Sequence, residues 1–249
     1  MIQPKVFPRQ PIGPSLVRLK ELALIDHLLR DPDQFFSEIG RGSGLWEKMR
    51  AMLLGSLACL ALYGGLLGST HSLGQSLSSA AKLPLLFLAT LLICAPALYL
   101  FNILFGANQR LSQSVMLVLA AITVTVVLLL SFAPITLFFI LTAPDSYQVF
   151  KLLNVLFFVI AGSSGAGCLN RGVRVVSACS PGQSMKNKRF MFALWLALYS
   201  FVGSQMAWTL RPYVGYPGSP FELFRQLGGN FYTDILASIG EILGFIIVK

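Results

Sequence analysis

The residues of this sequence that could perform chemistry are few, and they do not form a complete catalytic set. Ser79 and Lys82 have the S-x-x-K spacing of a nucleophilic serine and its lysine, but neither S-D-N nor K-T-G follows. The glycines of 162–167 lie in an apolar run and are not followed by Lys-Ser/Thr, so they do not make a phosphate-binding loop. We therefore expect a protein that is not an enzyme. A membrane enzyme is the weakest of the three classes of function considered below, after a scaffold and a pore.

Histidine and cysteine are also placed without the spacing of a ligand set. The histidines His27 and His71 have no nearby metal-ligating or nucleophilic partner in the sequence. No CxxC or Cys/His motif is formed by the four cysteines, Cys59, Cys94, Cys168 and Cys179. Such spacing supports neither a zinc site nor a disulfide framework, so we expect no cofactor and no metal.

The elements that must position these residues are long apolar segments. The chain of 249 residues is 55% hydrophobic and 12% charged, where soluble domains are about 25% charged. Lys82 is the only charged side chain between Arg50 and Arg110, and none follows before Asp145. Because about 20 apolar residues cross a ~30 Å hydrocarbon core, the sequence predicts an all-α, polytopic integral membrane helix bundle. Five transmembrane helices are expected, at about 50–68, 84–105, 114–142, 150–170 and 190–210.

The third of these segments is longer than one straight span needs. Its 29 residues would extend over 40 Å as a helix, at ~1.5 Å per residue. Pro134 removes one backbone hydrogen bond and favours a kink there. We expect a tilted, kinked single span, with a span followed by a re-entrant piece as the alternative.

The net charge of +9 is explained by the placement of basic residues beside the spans, not by a nucleic-acid-binding motif. Fourteen of the nineteen Lys and Arg residues lie at or within 1–50, 106–113 and 171–189, and five lie in the remaining connections or their borders. The positive-inside rule then places the N-terminus in the cytoplasm and the C-terminus outside. The expected organisation is a cytosolic N-terminal region (1–49), a five-span domain (50–210) and an extracytoplasmic interfacial tail (211–249).

The N-terminal region contains an amphipathic helix. Leucine, alanine and isoleucine recur at i, i+3 and i+4 over 15–30, with charged residues between them. Asp31-Pro-Asp33 is typical of a helix start and predicts a second short helix over 34–39. The first helix could lie on the membrane surface, dock on a partner or pack on the protein's own cytosolic loops. Glycines 40, 42 and 44 would form a link to Trp46.

The spans contain polar but no ionisable residues deep in their apolar core. We expect them to make hydrogen bonds within or between helices, which disfavours a proton-coupled or sodium-coupled carrier. A pore shared between subunits stays open. The polar residues concerned are Asn102, Asn154, Asn170, Thr90, Thr123, Thr125, Ser131 and Thr136.

Small residues in the first and fourth spans favour close helix packing, because missing side chains let two backbones approach. The pattern does not tell whether the neighbouring helix belongs to this chain or to another. The glycines predicted to pack in this way are Gly64, Gly68, Gly162, Gly165 and Gly167.

The tail begins as a membrane exit and continues as helix. Trp208 and Arg211 fit an aromatic belt and the headgroup level, Pro212 stops the fifth span, and Ser219 to Glu222 reads as a capping box. A further helix from Asn230 has an apolar face and suits an interfacial helix better than a sixth span. The residues expected to contact a partner are Trp208, Arg211, Tyr213, Tyr216, Phe221, Phe224, Arg225 and Phe231.

Three stretches together resemble a known group of membrane proteins. They are RDPDQFFSEI (30–39), KLPLLF running on to YLFNILFG (82–106), and MAWTLRPYVG with FELFR and NFY in the tail (206–232). The first two resemble the Ypt-interacting-protein (Yip) superfamily of five-span membrane proteins. With the tail included, the chain resembles a bacterial branch that carries no assigned activity. The resemblance implies a non-enzymatic membrane factor that organises membrane and binds other proteins, and it brings no catalytic residues.

We therefore expect a structural or accessory subunit, or scaffold, of a larger membrane assembly. Its partners would be membrane lipids and other membrane subunits or a second copy of itself, with no nucleic acid. Its expected place is the bacterial inner membrane or an internal membrane derived from it. The alternative is a pore-forming or transport component whose path is lined by polar residues of several spans.

Overall fold

A computed structural model describes residues 23–69, 72–104, 111–142, 147–178, 185–214, 223 and 231–242. These residues are almost entirely helical and contain no β-strand, so the all-α prediction is confirmed. The helices are α1 (23–30), α2 (Pro32–Gly40), α3 (Leu45–Gly68), α4 (Leu73–Leu104), α5 (Leu111–Ser131), α6 (Ala133–Thr142), α7 (Tyr147–Ala178), α8 (Met185–Thr209) and α9 (Phe231–Ile242).

Five segments are long and apolar enough to cross a membrane, which confirms a multi-pass membrane protein with five spans. They are Leu45–Gly68, Leu73–Phe101, Leu111–Thr142, Val149–Ala178 and Arg189–Thr209. The second helix starts eleven residues earlier than predicted, because Pro84 lies inside α4 and does not open it. A proline inside a membrane helix removes one hydrogen bond, which neighbouring helices and side chains can tolerate.

The third span consists of two helices in series. α5 ends at Ser131, and α6 begins at Ala133, one residue before Pro134. The Phe132 amide donates to the carbonyls of both Leu128 and Leu129, at 3.1 Å each, so the chain continues through the break. This arrangement agrees with a single interrupted segment.

The spans form a closed ring in the order α8, α4, α3, α5 and α7, with α7 packing against α8 to close it. At one end, which we name the α2 end, α2 packs against α7 and α5. The opposite end, where the chain leaves α8, is named the tail end. Both terminal regions are thus held against opposite ends of one bundle.

Two apolar clusters fill the ring. The cluster nearer the α2 end includes Phe36, Met116, Val173 and Trp195, and the second includes Leu60, Leu83, Leu129 and Phe157. Trp195 is fully buried, and its indole Nε1 donates to the Cys94 carbonyl at 2.9 Å. This bond ties α8 to the middle of α4.

Polar side chains inside the spans are used by the bundle itself. Between α3 and α5, the hydroxyls of Ser56 and Thr123 lie 3.1 Å apart, and between α3 and α7 the Tyr63 hydroxyl donates to Asn154 Oδ1 at 2.8 Å. Six of the eight predicted polar residues donate to the carbonyl four residues earlier, namely Thr90, Thr123, Thr125, Ser131, Thr136 and Asn154. Asn170 is exposed, and the Asn102 side chain lies outside the described part.

Candidate functional site

At the α2 end, a short helix closes the bundle with its apolar face. Asp31 caps α2 by accepting from the Gln34 amide at 3.3 Å, and Pro32 occupies the first turn, as the sequence predicted. Phe35, Phe36 and Ile39 are fully buried against the spans. Gly172 of α7 makes room for this face, because a Cβ there would lie 2.7 Å from the Phe36 ring and from Leu117.

Charged pairs hold the polar face of α2. Arg171 donates to the two carboxylate oxygens of Asp33 at 2.7 and 2.8 Å, and Lys48 donates to Glu38 at 2.5 Å. Hydrogen bonding to Arg171 lowers the pKa of Asp33, and hydrogen bonding to Lys48 lowers the pKa of Glu38. Gln113 of α5 donates to the last carbonyls of α2, at 3.0 and 3.1 Å. Three side chains, one from each of three spans, therefore fix one nine-residue helix.

The described part of the predicted 15–30 helix also packs on its own chain. In α1, Ile25 and Leu28 are buried. A Cβ on Gly55 of α3 would lie 2.6 Å from the Ile25 side chain, so the two helices touch closely. The sequence left open whether this helix lies on the membrane surface, on a partner or on its own chain. Residues 23–30 pack on their own chain.

At the tail end, a buried polar stripe of α4 holds the chain where it leaves α8. Gln75, Ser79 and Lys82 follow the i, i+4, i+7 spacing of one helix face and are 1%, 0% and 5% exposed. Gln75 Nε2 donates to the Pro212 carbonyl at 2.8 Å, and Ser79 Oγ donates to the Tyr213 carbonyl at 2.6 Å. Lys82 Nζ donates to the Pro212 carbonyl at 3.3 Å and also to the Leu223 carbonyl.

These bonds give the S-x-x-K pair a structural role. The Ser79 hydroxyl and the Lys82 ammonium both point to backbone carbonyls of the tail, where they act as donors. Sequence reasoning set the pair aside and missed the stripe. The available signal was the isolation of Lys82 in a long uncharged segment, since a charge near an apolar span is kept only with partners.

The predicted contact residues near Trp208 lie around this stripe. The Arg211 guanidinium carbon lies 3.4 Å from the Trp208 ring centroid, a cation–π arrangement. Within the described residues, the Trp208 Nε1 and the Tyr213 hydroxyl are buried without a hydrogen-bond partner. Burial raises the pKa of Tyr213, so this phenol stays protonated at ordinary pH. Both residues thus face the interior of the bundle end.

The other tail predictions divide between α9 and the residues outside the described ranges. Phe231 begins α9 and packs edge-on against Tyr232, with ring centroids 5.6 Å apart. α9 contacts α7 and α8. Outside the described ranges are Tyr216, Phe221, Phe224, Arg225 and the capping box from Ser219 to Glu222.

The five predicted packing glycines fall into two sets. A Cβ on Gly64 or Gly68 would come within 3 Å of the α4 backbone, and one on Gly165 would lie 2.7 Å from the Ala121 carbonyl oxygen of α5. Among the residues that the structure describes, no atom lies within 4 Å of a Cβ on Gly162 or Gly167. The first set is used for packing inside this chain, and the second faces open space on α7.

The open set belongs to a continuous uncovered face of α7. Ser163, Ser164, Gly167 and Asn170 are exposed, and both serine hydroxyls donate to the Ile160 carbonyl. Because these hydroxyls are satisfied by the helix itself, the face presents small, flat groups. We name Gly162, Ser163, Gly167 and Asn170 the small-residue face.

The described residues bring together no cluster of three or more His, Cys, Asp or Glu side chains that could hold a metal ion. His27 packs edge-on against Phe35, with ring centroids 5.9 Å apart. No family model, no curated protein and no solved structure matches this chain.

Proposed function

We propose that this protein is a non-enzymatic structural or accessory subunit of a larger membrane assembly. The observation that carries the proposal is the uncovered small-residue face of α7. The space beside Gly165 on the same helix is filled by α5, whereas in the described part of the chain no atom lies within 4 Å of a Cβ on Gly162 or Gly167. A helix of another subunit can approach such a face closely and gain dispersion contacts, which is how membrane helices associate.

The polar composition of the face adds a second contribution. Asn170 is exposed near the α2 end of α7, one residue before Arg171. An amide both donates and accepts, so it can bond across a helix interface to another subunit or to a second copy. Lipid tails offer no such partner, which favours a protein neighbour on this face.

The pore alternative has less support. Thr123, Asn154 and the other engaged polar residues give their hydrogen bonds to the bundle's own carbonyls and side chains. A cleft between α3, α4 and α5 is lined by Leu53, Leu60, Phe87 and other apolar residues, with Ser56 as the polar contribution. Because the polar side chains are hydrogen-bonded within the bundle and the cleft is mostly apolar, a water-filled path through the bundle is not favoured.

The resemblance to the Yip superfamily leads to the same class of function. We also propose the bacterial inner membrane, or one derived from it, with the N-terminus inside. Most described basic side chains lie at the α2 end, including Arg50, Arg174 and Arg189, whereas Lys82, Lys151 and Arg211 lie toward the tail end. This asymmetry supports the proposed orientation by the positive-inside rule.

The proposal is tested by co-purification of the tagged chain from its native membrane. Gly162→Leu and Gly167→Leu fill open space, so we expect them to leave the thermal stability of the subunit unchanged and to remove its membrane partners. Val159→Leu on the same exposed side of α7 is the matched control and should keep those partners. Retention of all partners by both glycine variants, or the absence of any partner at fixed stoichiometry in the unaltered protein, would contradict the proposal.

A second measurement separates the scaffold from the pore. Purified protein in liposomes should show no ion flux above that of empty vesicles. Flux that responds to Thr123→Val or Asn154→Leu would establish the pore instead.

Orientation is tested in intact cells with a membrane-impermeant thiol reagent. In a chain whose four cysteines are replaced by alanine, Leu223→Cys should be labelled and Ser43→Cys should not. The reverse pattern would place the N-terminus outside.

A further inference from the structure

The C-terminal helix α9 turns its polar side toward the bundle. Asp234 Oδ2 accepts from Lys151 Nζ of α7 at 2.9 Å. Ser238, one turn later, is 2% exposed and donates to the Asp234 carbonyl at 2.7 Å. A helix lying flat on a membrane surface turns its polar side to water. Here the protein occupies that side.

α9 also begins beside the inner part of a span. The Tyr232 hydroxyl lies 3.1 Å from Ser204 Oγ, and the Tyr232 ring stacks on Phe201 with centroids 6.5 Å apart. Phe201 precedes the end of α8 at Thr209 by eight residues, which is about 12 Å along a helix. If Thr209 lies near the membrane border, Tyr232 lies well inside it.

The outward side of α9 is apolar and exposed. Tyr232, Leu236 and Ile239 are 46%, 67% and 40% exposed and follow the i, i+4, i+7 spacing of one helix face. This face is continuous with the surface of α8, because Phe201, on which Tyr232 stacks, is itself 55% exposed. Because the outer surface of a span contacts lipid, we expect the adjoining face of α9 to contact lipid as well.

We infer that the Tyr232–Leu236–Ile239 face of α9 is covered by the acyl chains of the bilayer. α9 is embedded beside α7 and α8 at the tail end, and does not lie over the headgroups. Its acid pairs with Lys151 of α7 on the side toward the bundle. Its aliphatic side chains replace part of the lipid-facing surface of the spans. The inference is independent of the partner proposed for α7, since it concerns a different helix and a lipid.

The first test uses the cysteine-free chain in lipid nanodiscs, where both membrane faces are open to reagents. Leu236→Cys and Ile239→Cys are compared with Leu92→Cys, exposed in the middle of α4, and with Ser43→Cys, exposed in the turn before α3. We expect a charged thiol reagent to modify positions 236 and 239 at least about tenfold more slowly than position 43. A fluorophore at 236 or 239 should be quenched by lipids brominated on their acyl chains, as at 92.

Two results would overturn the inference. Modification at the rate of position 43 without quenching would place the face in water. Slow modification without quenching would show that protein, and not lipid, covers it.

A second measurement leaves the chain unaltered. Wild-type protein in nanodiscs that contain a lipid with a diazirine in its acyl chain is irradiated, digested and analysed by mass spectrometry. We expect adducts on the α9 peptide, on residues of the outward face, at a yield within about twofold of that on the exposed face of α4. Adducts on α4 with none on α9 would overturn the inference even if the cysteine variants failed to fold.

Discussion

The two ends of the bundle hold terminal segments by different kinds of contact. At the α2 end, side chains meet side chains: Arg171 pairs with Asp33 and Lys48 with Glu38, all at least partly exposed. At the tail end, buried side chains of α4 meet backbone carbonyls of 212, 213 and 223. The ion pairs at the α2 end depend on the charge of both side chains. The hydrogen bonds at the tail end depend on one side chain and on the course of the backbone that carries the carbonyls. The contacts of α2 should therefore respond to pH and salt, and those of residues 212 and 213 with α4 should respond less.

The largest expected effect comes from the close crossing of α3 and α4 at the tail end. A Cβ on Gly68 would lie 2.6 Å from the Gln75 carbonyl carbon and the Ser76 Cα, and backbone cannot move aside easily. Gly68→Ala should cost about 3 kcal/mol, the upper part of the range for overpacking, measured by thermal unfolding in detergent.

Two other glycine variants serve as comparisons for Gly68→Ala. Gly65→Ala on the same helix meets only side-chain atoms at 3.7 Å and should be tolerated. Gly172→Ala at the α2 end meets the Phe36 and Leu117 side chains, which can shift, and should cost about 1 kcal/mol. Equal losses of stability in Gly68→Ala and Gly172→Ala would show that the backbone contacts at the tail end are no less able to shift than the side-chain contacts at the α2 end.

The next effect concerns the two lysines that serve the two ends. Lys82→Met removes the lysine donor of the Leu223 carbonyl and leaves the Pro212 carbonyl with Gln75 as its donor, at a cost of about 2 kcal/mol. Lys48→Met leaves Glu38, which water can still reach, at a cost of about 0.5 kcal/mol. Hydrogen exchange of residues 210–214 should accelerate in the first variant and stay unchanged in the second.

A pH titration should release α2 before it disturbs the tail. The folded-state pKa values of Asp33 and Glu38 lie below their ordinary values of 3.8 and 4.5. Their contribution is therefore complete above about pH 4.5 and is lost as the pH falls through the lowered values. Protection of the amides of 32–40 from hydrogen exchange, relative to the intrinsic rate at each pH, should decrease at low pH and at high salt, while protection in 210–214 changes less.

The matched control for this titration is Asp33→Asn with Glu38→Gln. In that double variant, the protection of 32–40, relative to the intrinsic rate at each pH, should depend less on pH over the same range. A pH dependence equal to that of the unaltered chain would assign the effect to other groups.

The smallest expected effect is that of Tyr213→Phe. The hydroxyl is buried without a hydrogen-bond partner in the described part of the chain, so its removal deletes no bond. Stability should change by about 0.5 kcal/mol or less, in either direction. A loss of more than about 1.5 kcal/mol would show that the phenol has a partner, such as a bound water.

Apolar length and charge spacing in the sequence were enough to predict five spans and the all-α class, because the bilayer sets the length of a spanning helix. The cap at Asp31 was also readable, since capping is local in sequence. The pairing of Gln75 with residue 212 and of Asp33 with Arg171 was not readable, because each joins positions more than 130 residues apart. The division of the glycines between filled and open sites depends on which helices become neighbours.

The second helix start shows a further limit. Pro84 stands where the second span is predicted to begin, yet α4 runs from Leu73 through both Pro84 and Pro96. The eleven residues lost in that reading include Gln75, Ser79 and Lys82, which hold the tail. In soluble helices, proline commonly marks the first turn, and this rule places the start of α4 after the stripe. Inside a membrane bundle, the carbonyl that a proline leaves unpaired finds other partners, so the helix can continue through the proline.

The separation of 130 residues between Lys82 and Pro212 has a consequence for biogenesis. A ribosome completes α4 long before it reaches the segment whose carbonyls receive the lysine. During that interval the ammonium must stay at the translocon mouth or among headgroups, since an unpaired charge resists burial in hydrocarbon. A chain truncated before residue 212 would lack both the Pro212 and the Leu223 carbonyls, so Lys82 would lose two of its acceptors.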